Sequence, residues 1–190
     1  MNRQRWIAVA LSAATAVGLA GCGGDEPDWQ ARCATSPAGV IECAPGDRPP
    51  PPELTGELLD GGRYDLTQDR GQVVVVNFWG SWCAPCRAEA DDLERTYQET
   101  KAAGVRFIGV NVQDGRDKAR AFEEGRISYP SLFDPASRLA LTFAIPPTVT
   151  PATIVLDREG RIAAVIRRAV RADEFRPLVE RVAAEQAAAG

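Results

Sequence analysis

Two cysteines separated by two residues, Cys83 and Cys86, stand between a run that reads as a buried strand and a run that reads as a helix. Val73-Val74-Val75-Val76-Asn77-Phe78 is nearly all apolar and rich in β-branched residues, the pattern of a strand covered on both faces. Arg87 to Ala103, beyond the second thiol, is a helix-forming segment. Thiols at such a junction meet the unpaired N–H groups and partial positive charge of the helix start, which stabilise a thiolate. Cys83 is expected just outside the helix, exposed and nucleophilic. Cys86 is expected one turn in, shielded, and placed to attack a mixed disulfide formed by Cys83. The spacing predicts a dithiol–disulfide exchange site.

Other uses of the same spacing need residues that are missing. Attachment of a c-type haem requires His after the second cysteine, where Arg87 stands, and the chain has no His at all. That also removes any Cys/His zinc site. A four-cysteine zinc site would have to recruit Cys33 and Cys43, whose spacing does not match a zinc ribbon. No metal and no cofactor is expected. A purely structural disulfide remains the alternative to redox chemistry.

The remaining pattern alternates strands and helices. Residues 53–66 alternate apolar and polar around Asp60-Gly61-Gly62 and predict a β-hairpin. Val73 to Phe78 and Val105 to Val112 predict central strands, with a helix from Pro85 to Ala103 ended near Gly104. Asp117 to Glu124 predicts a second helix and Ser131 to Phe133 a short strand. Asp134 as N-cap and Pro135 at the first position predict a helix running to Phe143. Ala152 to Leu156 and Arg161 to Ile166 read as strands joined by a turn at Asp157 to Gly160. Arg171 to Ala188 reads as the last helix, and Glu185 to Gly190 as a fraying end. The order implies an α/β fold with a mixed central sheet, helices on both faces and an N-terminal β-hairpin.

The stretches Val73 to Cys86, Phe107 to Val112 and Pro151 to Asp157 resemble the thioredoxin superfamily. More narrowly, they are similar to the extracytoplasmic TlpA/ResA-like thiol–disulfide oxidoreductases, over roughly residues 53 to 186. The resemblance implies a thioredoxin fold and a dithiol at Cys83 and Cys86, flanked by Trp82 and Pro85. It implies that the Thr150–Pro151 bond is cis and faces the dithiol, with Thr150 placed to pair with an extended substrate. The loop Ile145 to Pro151 can also be read as a rigid turn. Thioredoxins carry a buried Asp six residues before the first cysteine; here that position is Asn77, which cannot transfer a proton. ResA-like members carry an acidic residue after the second central strand. Asp114 matches it and is the candidate for tuning or deprotonating Cys86, unless it only caps a turn. Ala84 stands where such members often have Glu.

The N-terminus reads as a targeting signal. Arg3 and Arg5 precede the apolar stretch Trp6 to Leu19, which closes on Leu19-Ala20-Gly21-Cys22. This resembles a bacterial lipobox and implies residues 1–21 as a leader and a lipid anchor on Cys22. Removing Cys22 from five cysteines leaves two pairs. Cys33 and Cys43 then read as a local structural disulfide, with a second redox-active pair as the alternative. Residues 22–52 read as a linker ending in the spacer Pro49 to Pro52, and residues 53–190 as the folded domain. The net charge of −4 gives no reason to expect nucleic-acid binding.

Direction of electron flow follows from the residues between the thiols. Ala84 and Pro85 supply no positive charge to stabilise a thiolate, so a low reduction potential and a reductant are expected. The resemblance implies disulfide-bearing exported proteins as partners, apocytochrome c among them. It also implies recharging by a membrane thiol transporter of the CcdA type, on the extracytoplasmic face of the cell membrane. A disulfide oxidase or isomerase of DsbE type is the alternative, and a non-catalytic lipoprotein adaptor is another. A peroxidase would need Pro-x-x-x-Thr-x-x-Cys; Val76 and Gly80 occupy the Pro and Thr positions relative to Cys83.

Overall fold

The computed structural model describes residues 29–50, 52–143 and 149–185. Its strands are β1 (Ala34–Thr35), β2 (Val40–Glu42), β3 (Thr55–Glu57), β4 (Arg63–Asp65), β5 (Val73–Trp79), β6 (Val105–Val112), β7 (Ser131–Asp134), β8 (Ala152–Leu156) and β9 (Ile162–Ile166). Its α-helices are α1 (Ala84–Thr100), α2 (Arg116–Glu123), α3 (Arg138–Thr142) and α4 (Ala172–Ala184).

All of β5 is buried, as its unbroken apolar run requires. It lies inside a seven-stranded sheet of order β1-β2-β9-β8-β5-β6-β7, parallel to β6 and antiparallel to β8. Alternation along β5 divides the core. Val74, Val76 and Phe78 meet Leu54, Tyr64 and Leu66 from around the β3–β4 hairpin and Ala140 of α3. Val73 and Val75 meet Leu93 of α1 and Phe175, Leu178 and Val179 of α4. This is a thioredoxin-like mixed sheet with helices on both faces. The register opposes Trp79 to Asn111 and Phe78 to Ala152, so the loops after β5 and β6 and before β8 open at one end.

Four expectations are corrected. The segment from 22 to 52 is not only a linker. Its low hydrophobicity hides β1 and β2, and β2 pairs with β9 at Val40–Ile166, Ile41–Val165 and Glu42–Ala164. Cys33 and Cys43 are joined, with Cys43 buried. Arg48 then reaches across to Asp157 at 3.1 Å and Glu185 at 2.6 Å, and Pro49 is buried. Glu185 is therefore tied down rather than frayed.

The helix expected from Asp134 starts four residues later, at Arg138. Asp134 ends β7, and its carboxylate accepts from the N–H groups of Arg138 (2.9 Å) and Leu139 (2.8 Å). It caps the helix from a distance because Ser137, at φ 55°, breaks the path between them. The last helix ends at Ala184, short of the expected Ala188. The leader and Cys22, Pro51 of the spacer, loop residues 144–148 and the tail after Glu185 lie outside the described residues.

Candidate active site

Cys83 is the N-cap of α1, and Pro85 stands in the helix's first turn, where a missing N–H is harmless. The Cys86 N–H donates to Sγ of Cys83 at 3.2 Å. The two sulfurs are bonded to each other. Here the structure departs from the expected contrast in exposure: Cys83 and Cys86 are both only 3% exposed. Part of the cover over Cys83 is the Thr150 segment, whose carbonyl oxygen lies 3.7 Å from Sγ. Thr150–Pro151 is cis, Thr150 is half-buried and Pro151 is buried. The strand ends thus bring Cys83, Cys86, Thr150 and Pro151 together.

Trp82 is 51% exposed beside the dithiol. Its Nε1–H donates to the Val112 carbonyl at 3.2 Å, and its ring folds back over Gly80. A methyl group at Gly80 would come within 2.7 Å of Cε2 of Trp82, so glycine lets the indole lie there. Behind the dithiol, Trp79 packs with Cys83 and Cys86, stacks on Phe122 and donates to Ser131 Oγ at 3.2 Å.

Asp114 does not take the place expected of it. Its carboxylate accepts from the Ser81 N–H (2.6 Å), the Ser81 hydroxyl (3.0 Å), the Asn111 amide (3.1 Å) and the Gly115 N–H (2.8 Å). Partial burial pulls its pKa up, but these donors together hold it below the ordinary carboxylate value. A carboxylate so engaged is a poor base. Its work is to fix the Ser81 turn that carries Trp82 and Cys83.

The carboxylate suited to proton transfer is Glu89, which the sequence reading passed over. It sits on α1 one turn beyond Cys86 and is 1% exposed. Burial pushes its pKa up to about 7, and the Val170 N–H and Asn77 amide moderate the rise. One oxygen accepts from Asn77 Nδ2 at 2.9 Å and the other from the Val170 N–H at 2.8 Å. A signal was present in the sequence. Cys86, Glu89, Ala90 and Leu93 fall at helical spacing on one buried face, where a carboxylate is out of character.

The model of the AhpC/TSA family matches residues 45–165. Over 141 residues the chain is 36% identical to the thiol:disulfide interchange protein DsbE of Allochromatium vinosum, covering 70% of this chain and 75% of that protein. It is 26% identical over 132 residues to the thiol-disulfide oxidoreductase ResA of Geobacillus thermodenitrificans, covering 69% and 75%. Among solved structures it is similar to a secreted thiol-disulfide isomerase from Corynebacterium glutamicum. That match has a TM-score of 0.74 and 37% identity, and it covers 80% of this chain and 98% of the other.

Proposed function

The chain belongs to the AhpC/TSA family of thioredoxin-fold proteins, as a thiol–disulfide oxidoreductase of the ResA and DsbE type, and from that premise we propose that it reduces disulfides of exported proteins with Cys83 and Cys86. The observation that carries the exchange chemistry is the N–H of Cys86 aimed at Sγ of Cys83 from 3.2 Å at the start of α1, and the reductive direction rests on the uncharged Ala84 and Pro85 between the thiols. In the reduced protein that donor and the helix dipole stabilise a Cys83 thiolate.

The thiolate attacks one sulfur of a substrate disulfide, forming a mixed disulfide and releasing the other sulfur as a thiolate that takes up a proton. Cys86 gives its proton to Glu89, and its thiolate attacks Sγ of Cys83. The Cys83–Cys86 bond forms as the mixed disulfide breaks, and the second substrate sulfur leaves. Two electrons pass from the protein to the substrate. Thr150 offers its backbone to an extended substrate segment laid beside Cys83.

Ala84 and Pro85 are exposed and uncharged, which supports a reductant over an oxidant. The partners in this reading are disulfide-bearing exported proteins, including the C-x-x-C-H cysteines of apocytochrome c, and a membrane thiol transporter of CcdA type as electron donor. The Cys33–Cys43 disulfide and the secreted relative from Corynebacterium glutamicum support an extracytoplasmic location, and the lipobox-like Leu19 to Cys22 is what supports a lipid anchor there. The second reading is an oxidase or isomerase of DsbE type, and similarity to that secreted thiol-disulfide isomerase favours its isomerase form. A non-catalytic adaptor needs neither thiol.

The reduced full-length protein, mixed with an oxidised exported substrate, tests this directly. Cys83→Ser is expected to abolish reduction. Cys86→Ser is expected to trap the mixed disulfide. A Cys83→Ser protein of unchanged biological activity would leave the adaptor reading standing instead. Incorporation of labelled fatty acid that is lost in Cys22→Ser tests the anchor.

A further inference from the structure

Asn77 occupies the middle of the fully buried strand β5, where packing alone calls for an apolar residue. Its side chain points to the face that meets α1 and α4, and it is 2% exposed. A primary amide buried there is unfavourable unless it is paired. It is paired twice through one nitrogen: Nδ2 donates to Glu89 Oε1 at 2.9 Å and to Thr153 Oγ1 at 3.0 Å. Thr153 is the cross-strand neighbour of Asn77 on β8 and is fully buried.

We propose that Asn77 is a positioning residue for the exchange reaction, holding the Glu89 carboxylate with one amide hydrogen while Thr153 fixes the amide through the other. This rests on the reading that Glu89 takes the proton of Cys86. Glu89 has one oxygen on Asn77 and the other on the Val170 N–H, so donors on both sides prevent the carboxylate from turning away from its helix. Thr153 is β-branched, with few χ1 choices, and therefore sets the direction of the amide rather than following it. Thr153 also lies three residues from Thr150, whose carbonyl contacts Cys83. Asn77 thus joins the proton acceptor to the strand that faces the nucleophile.

The neutral amide has a second consequence. An aspartate here would set two carboxylates against each other, whereas an N–H donor favours the ionised form of Glu89. The ionisable groups that act on Glu89 are Asp92, on its own helix, and Tyr129, buried in the cluster that also holds Leu93 and Phe175. Asn77 is the donor on the β5 side.

The test is the rate of Cys86 alkylation against pH in full-length Cys83→Ser protein, read by mass on the peptide that carries Cys86. Asn77→Ala removes a donor that favours ionised Glu89, leaving less negative charge beside Cys86, and is expected to move the profile to lower pH, quickening alkylation at pH 7 by about twofold. Thr153→Val, nearly isosteric and safer for folding, is expected to move it the same way, and Thr153→Ser to restore it. Neither Asn77→Ala nor Thr153→Val is expected to shift the profile further in an E89Q background. Shifts of equal size with and without E89Q, or no shift in either, would overturn the role of Asn77. If E89Q itself leaves the profile unchanged, the reading of Glu89 fails, and this inference falls with it.

Discussion

The backbone N–H of Cys86 is directed at Sγ of Cys83 from 3.2 Å, so the residue that resolves the exchange also stabilises the sulfur that begins it. Because the donor is backbone, it survives replacement of the Cys86 side chain. In reduced Cys86→Ser protein, Cys83 is expected to alkylate with a midpoint below the free-thiol value of about 8.5. A midpoint at or above that value would mean that the helix start contributes nothing to the thiolate.

Glu89 should leave a signature in stability as well as in rate. Its folded pKa is about 7, against an ordinary 4.5. As pH rises past 4.5 the unfolded chain loses this proton while the folded chain keeps it until about 7. The folded state binds more protons across that window, so stability falls with rising pH there and levels off above it. The total is on the order of 3 kcal/mol. Denaturation of wild type and Glu89→Gln from pH 4.5 to 7.5 isolates it. The advantage of the variant over wild type should grow through the window; parallel curves would contradict the burial of an ionisable Glu89.

Gly80 and Trp82 make a prediction about the substrate-facing surface. Gly80→Ala forces the Trp82 ring off its seat and breaks its hydrogen bond to Val112. Loss of one such bond is worth about 1 kcal/mol, or roughly fivefold in kcat/KM toward a protein disulfide if the indole contacts substrate. The temperature midpoint should fall by no more than a few degrees, about what 1 kcal/mol accounts for in a chain of this size. Unchanged kcat/KM would remove Trp82 from the docking surface.

What the sequence disclosed depends on whether a residue's role is local. Val73 to Phe78 and the cysteine pair were legible because burial, period and chemistry coincide over one short stretch. Gly104, at φ 79°, ends the first helical segment where a glycine was expected to. Strand β2 was hidden because its pairing with β9 makes it a strand, and only Ile41 of its three residues is buried. The start of α3 was misplaced because the capping carboxylate of Asp134 reaches over Pro135 and Ser137. The turn-capping alternative for Asp114, and not the base of raised pKa, matches its partners, above all the Ser81 N–H, which sequence spacing does not reveal. Glu89 is hard to read from sequence because a glutamate within a charged helix looks solvent-facing until the buried face of Cys86, Ala90 and Leu93 is traced through it.

Arg48 tests whether the N-terminal segment belongs to the domain. Its side chain is 4% exposed and that of Asp157 is 3% exposed. Arg48→Ala leaves Asp157 with the Arg161 guanidinium, at 2.9 Å, as its remaining ion-pair partner among the described residues and takes the Arg48 contact from Glu185. The expected loss is about 2–3 kcal/mol, read from the urea midpoint. A freely jointed linker would give no change.

The reduction potential of the Cys83–Cys86 pair tests the central claim most directly. It can be read from Trp79 and Trp82 fluorescence in defined thiol–disulfide buffers, with Cys33→Ser/Cys43→Ser protein as the control for the other disulfide. A reversible couple near or below about −250 mV is the expected result and fits a reductant that must be recharged. A couple above about −180 mV would contradict it, leaving an oxidant or isomerase in place of the reductase.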